Sequence, residues 1–99
     1  MATRKERTAA NVFADIGFPH EEAEHLKLRA DLMIELIKLI RARGLTQARA
    51  AILLGVSQPR VSDLTRGKID RFSIDTLVEM LGHAGAHVTL KVRRGRRVA

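Results

Sequence analysis

An all-α domain closed by one short C-terminal β-strand is the fold class this 99-residue sequence predicts, on three observations. From Leu26 to Leu81 apolar residues recur three and four apart, the period of helices with a buried face. Gly44 and Gly55 each follow such a run, where a chain leaving a helix turns most easily. After Gly85 the period drops to two: His87-Val88-Thr89-Leu90-Lys91-Val92 alternates, with Val88, Leu90 and Val92 on one side.

Taken in chain order, residues 1–18 read as an N-terminal extension, partly disordered over 1–10, with the short apolar stretch Asn11–Phe18 (NVFADIGF) ending in Gly-Phe-Pro. Residues 19–85 read as the helical domain. Pro19 suits the first turn of a long helix, and Glu21, Glu22 and Glu24 complement its dipole. That helix is expected to run to about Arg43, with Arg41 and Arg43 in its last turn and Gly44 as its stop. It carries two apolar stripes, one of Leu26, Ala30, Met33, Ile37 and Ile40, the other of Leu28, Leu32, Leu36 and Leu39. Either both are internal, or one meets another chain.

Thr46 is placed to cap the next helix, Ser57 the one after, and Ser73 the last. Pro59 falls in the first turn of its helix, where a missing N–H costs little. The final helix presents Ile74, Leu77, Val78 and Leu81 on one face and ends around Gly82 to Gly85. Residues 86–99 hold the strand and a basic tail. A lone strand cannot satisfy its own backbone, so its partner is either the Asn11–Phe18 segment or the same strand of a second subunit.

The most informative stretch is Thr46 to Gly67, TQARAAILLGVSQPRVSDLTRG, which reads as two short helices about a tight turn. The small Ala51, four residues before Gly55, allows a close helix crossing, and Val61 and Leu64 turn the second helix onto the first. Gln58, Arg60, Ser62, Asp63, Thr65 and Arg66 are left facing outward, a polar surface suited to a DNA major groove.

Charge follows the same division. The net charge is +7, yet residues 1–40 hold six Lys/Arg and seven Asp/Glu while residues 41–99 hold twelve and four. A polyanion partner is thus expected for the second half. With no cysteine, disulfides and thiolate metal sites are excluded. Three Phe and no Trp or Tyr argue against stacking on single-stranded nucleic acid. The polar start MATRKERTAA resembles no secretory signal, and the stretch Leu32–Ile40 is too short to cross a bilayer, so a cytoplasmic setting is expected.

The block resembles the lambda-repressor-like (XRE) helix-turn-helix family over about residues 30–85: the Gln47 start, the Ala51 and Gly55 spacing, Val61 and Leu64, then Arg66-Gly67-Lys68 and a further helix. The wider layout, with its N-terminal extension and final strand, is similar to HigA-like antitoxins of type II toxin–antitoxin pairs over nearly the whole chain. One departure is that most XRE proteins have another helix where this chain turns to strand. The resemblance implies that Gln47 binds phosphate and that Ser57, Gln58 and Pro59 open the recognition helix, with Ser62 and Asp63 one turn on. Gln58 can pair with adenine and Asp63 can accept from cytosine, while Pro59 offers an apolar contact to a thymine methyl. Asp63 could instead repel phosphates from a wrong register. Arg60, Arg66 and Lys68 are the expected phosphate contacts, and the tail's Arg93, Arg94, Arg96 and Arg97 either add to them or are simply solvated.

The partners so implied are double-stranded DNA at a palindromic operator, a second copy of the chain, and a RelE/HigB-like ribonuclease toxin. Glu21, Glu22, Glu24, Asp31 and Glu35 would attract such a basic toxin, and Val12, Phe13, Ile16 and Phe18 would be buried against it. The plainer alternative packs that segment on its own domain. Two other readings stay open, a stand-alone XRE regulator and an interaction module with a vestigial helix-turn-helix. No cofactor is expected. His83 and His87 are four apart, but Gly85 breaks the helix that would align them as metal ligands. No nucleophile has a neighbouring base, so no enzyme is expected.

Overall fold

The computed structural model describes Phe13 and residues 16–94. Among these lie four α-helices: α1 (His20–Ala42), α2 (Gln47–Leu54), α3 (Gln58–Thr65) and α4 (Ile74–His83), with a 3₁₀ turn (Ile69–Arg71) between α3 and α4. The expected disorder of residues 1–10 and the last two tail arginines, Arg96 and Arg97, lie outside the described residues.

Helix α1 starts one residue later than expected. Pro19 is its N-cap and not its first turn, and the Pro19 carbonyl accepts from the Ala23 N–H at 2.8 Å. All four helices stop alike. The residue after a left-handed glycine donates back to the carbonyl five positions earlier: Leu45 to Ile40, Val56 to Ala51, Lys68 to Asp63 and Ala86 to Leu81. This pairs carbonyls that the last helical turn would otherwise leave open.

Thr46 and Ser73 cap as expected, each hydroxyl accepting from the N–H three residues on at 3.1 Å. Ser57 occupies the N-cap of α3, but its side chain makes no capping hydrogen bond. Its carbonyl accepts instead from the N–H groups of Arg60 and Val61. Proline, second in this helix, removes one donor that a cap would serve.

The core draws on every helix. Leu36, Leu54, Leu64, Leu77, Met80 and Val61 are its fully buried large side chains, closed by Phe72 from the connection after the 3₁₀ turn. The two stripes of α1 merge into one band: Leu32, Met33, Leu36 and Ile40 are buried, while Leu28, Ile37 and Leu39 pack at its margins. Val78, expected on the buried face of α4, is exposed, and Met80 is inside in its place. Helix α4 packs against both α1 and α2.

The expected C-terminal strand is not formed. Residues 86–94 carry neither strand nor helix, and among the described residues there is no strand at all. Strand structure needs a ladder of bonds to a neighbour. Within one chain the candidate neighbour fails, because Phe13 is helical and Ile16–Gly17 is a turn. Ala86 and Val88 pack on the core while Leu90 and Val92 stand exposed.

Candidate nucleic-acid interface

Helices α2 and α3 pack on each other about Gly55, which adopts φ 71° and ψ 33°. The positive φ favours glycine here, and space is tight as well. A Cβ at residue 55 would sit 3.2 Å from the His83 ring of α4. On α2, Ala50 and Ala51 are buried, and their small side chains let Val61 and Leu64 of α3 reach the core with Leu54.

That packing decides which residues of α3 face outward. Gln58, Pro59, Thr65 and Arg66 are exposed, as are Gln47 at the first position of α2 and Ser57 at the turn. Gln47 stands where helix N–H groups and the helix dipole favour an anion. Arg60, Ser62, Asp63 and Lys68 are half-buried. The expected residues therefore divide into a free set and a held set.

Of the half-buried residues, Arg60 and Asp63 are bound by the turn that follows. The Arg60 guanidinium lies 5.1 Å from the centre of the Phe72 ring and donates through Nη1 to the Arg71 carbonyl at 3.0 Å. Asp63 accepts from Arg71 Nη1 at 3.4 Å, an ion pair that leaves its side chain only 19 % exposed. In the free protein Asp63 thus holds Arg71 against the helix. Thr65, although exposed, has its hydroxyl donated to the Ser62 carbonyl at 3.2 Å.

Arg71, Phe72 and Arg29 were not singled out by sequence reasoning. From α1, Arg29 Nη1 donates to the carbonyls of Ile69 and Phe72 at 3.2 and 3.3 Å, fixing the turn that carries Arg71. These links span about forty residues, and no local spacing signals them. Asp63 and Arg71, eight apart across a turn, were nearer to hand as an opposite-charge pair. Arg66 and Lys68 follow the C-terminal end of α3, and Arg71 is paired to Asp63 on it, all within the basic half of the chain.

The Arg93 end of the tail lies elsewhere. Leu90, Lys91, Val92 and Arg93 border a cleft whose other wall is Glu21, Glu24, His25, Lys27 and Leu28 of α1. Among the described residues there is no group of His, Asp or Glu side chains placed to hold a metal ion. No described helix is long and apolar enough to cross a membrane.

A family model described as a helix-turn-helix domain matches residues 12–93. Among solved structures, a chain named as an XRE family transcriptional regulator is similar at 32 % identity, with a TM-score of 0.70 over 79 % of this chain and 88 % of that one. This chain belongs to the XRE helix-turn-helix family. No match was found among curated proteins. The family match takes in both helices of the turn, α2 and α3, and the tail as far as Arg93.

Proposed function

We propose that this XRE-family domain is a sequence-specific DNA-binding transcriptional repressor that acts as a homodimer. The observation that carries the reading is the exposed start of α3. Gln58 and Pro59 project from a helix locked onto α2 by Val61 and Leu64, with Arg66, Lys68 and Arg71 at its side. In a major groove Gln58 would read a base edge, with adenine its best partner, while Gln47, Arg66 and Lys68 would bind phosphates. Arg60 would act chiefly by stiffening the turn. Two recognition helices about 34 Å apart would then match a palindromic operator, and occupancy would block transcription from it.

We further propose that the protein is the antitoxin of a type II pair, repressing its own operon and holding a RelE/HigB-like ribonuclease inactive by direct binding. Two features support this beyond the resemblance in layout. Ile16 and Phe18 before α1, and Ile34 on it, are exposed apolar side chains. Beside them is a groove of about 320 Å3 lined by Phe13, Met33, Ile34, Ile37 and Ile69. Glu21, Glu22, Glu24 and Glu35 add carboxylates to α1 that would meet a basic partner, Glu21 and Glu24 on the side of the separate cleft bordered by residues 90–93.

Promoter-binding titrations test the first proposal. Binding is expected to weaken steeply with salt, with Gln58→Ala relaxing base choice and Arg66→Ala weakening all sequences alike. If neither variant alters binding, α3 is not the reading helix. Co-purification from the native operon tests the second. A small basic protein held in stoichiometric complex is expected, and its absence would leave a stand-alone XRE regulator.

A further inference from the structure

Arg71 lies on the surface, yet it is held from three sides. Arg29 of α1 donates to the carbonyls of Ile69 and Phe72, and Arg60 of α3 donates to the carbonyl of Arg71 itself. Asp63 of α3 then accepts from Nη1 of the Arg71 guanidinium at 3.4 Å, while the Arg71 side chain stays 53 % exposed. An exposed arginine ordinarily samples many rotamers, and ordering it on binding costs affinity. Here much of that ordering is in place in the free protein. A guanidinium carries five N–H donors in a planar fork. Among the described hydrogen bonds, Asp63 takes one of those of Arg71 and leaves the rest to a ligand.

We propose that Arg71 binds a backbone phosphate of duplex DNA and that Asp63 is the residue that positions it. The inference rests on the DNA-binding reading above, and it gives Asp63, which that reading leaves without a role, a task other than reading bases. A major groove is about 12 Å wide, so a helix seated in it has phosphates along both flanks. A guanidinium tethered to the side of α3 is carried to one of them. The pair with Asp63 fixes the plane of the fork, and a planar fork matches phosphate oxygens through parallel bonds. Arg29, Arg60 and Arg71 border one cleft of about 410 Å3, with His25, Ser73 and Thr76 and with Asp70 as its carboxylate. Counting Asp63 as well, guanidinium groups exceed carboxylates there by three to two, the sign a phosphate requires. Arg29 and Arg60 spend Nη1 on main-chain carbonyls and so build the turn. Arg71 is the one of the three held by a side chain alone.

Asp63→Asn and Asp63→Ala remove the same charge, and only Asn keeps an oxygen that can accept from Arg71. Comparing the two therefore separates positioning from charge. The probes are a duplex of random sequence and the tightest duplex selected from a random pool, each titrated with the full chain. Asp63→Ala is expected to bind both about 3–10-fold more weakly than Asp63→Asn, the cost of ordering one long side chain. In an Arg71→Gln background the two are expected to bind equally. Arg71→Gln alone should lower the slope of log affinity against log salt by about 0.9, one phosphate contact, whatever happens at Asp63. Helical circular dichroism is expected to stay native throughout. Equal binding by Asp63→Ala and Asp63→Asn, a gap that persists without Arg71, or an unchanged salt slope overturns the proposal. So does inorganic phosphate that, at matched ionic strength, displaces DNA from the native protein better than from Arg71→Gln, since the site would then serve a free anion. A native protein that binds both duplexes equally keeps the Arg71 contact and removes the sequence-specific repressor, and one that binds neither removes both.

Discussion

The recognition end and the tail of this domain meet the demands of a polar backbone in opposite ways. From Thr46 to Ser73 each helix is closed by its own chain: capping hydroxyls begin α2 and α4, and glycine turns end α2 and α3. Leu54, Val61 and Leu64 are completely buried there, and even surface groups such as Arg60 and Asp63 are engaged. From His87 to Arg94 the chain makes none of the described hydrogen bonds and leaves two large apolar side chains in water. The first region is finished within one copy. The second has the composition of finished structure and lacks a neighbour.

The sharpest way to break this contrast is to remove a side chain on which the recognition end depends. Leu64 is 0 % exposed and pins α3 to the core. Truncating it leaves a cavity the packed helices cannot fully close, so Leu64→Ala is expected to cost about 2–5 kcal/mol in denaturant unfolding. A loss below 1 kcal/mol would mean that α3 is not held as described. Specific DNA binding should fall with it, since Val61 and Leu64 are the fully buried side chains that seat the reading face on the core.

A smaller loss is expected at the turn itself. Gly55→Ala forces a Cβ into left-handed backbone, at about 1–2 kcal/mol, and sets it 3.2 Å from the His83 ring. His83 is exposed and can swing away, which limits the added steric cost. Thermal unfolding of Gly55→Ala alone and with His83→Ala separates the two terms. The double variant should recover the steric part and keep the backbone part. Complete recovery would show that the positive φ costs nothing here.

The same contrast explains what could be read from sequence. Thr46, Gly55 and Ser73 were legible because caps and left-handed turns are local, set within three to five residues. Val61 and Leu64 were legible because burial leaves a helical period. The stripes of α1 were legible as apolar surface, but their fusion into one band depends on where α4 crosses. The engagement of Arg60 and Asp63 with Phe72 and Arg71 was not legible, because it is made by a returning turn. The alternation of residues 87–92 was read as a strand and the described chain forms none there, because strand structure requires a second strand that one described chain does not supply. Pattern records what a segment is suited to, and hydrogen bonding records whether the opportunity is present.

The smallest expected effect is the most informative about the tail. In a single copy Leu90 is 71 % exposed, so Leu90→Ala at high dilution should change stability by no more than about 0.5 kcal/mol. If the segment pairs with a second copy, native stability rises with concentration by mass action, and a variant that pairs less well gains less. Native and Leu90→Ala melting curves should therefore coincide when dilute and separate progressively as the protein is concentrated. Leu64→Ala should instead stay below native by a similar margin throughout, because its loss lies inside one copy. Should Leu90→Ala be as damaging as Leu64→Ala even when dilute, the tail must be packed within the monomer, and the contrast between the two regions would disappear.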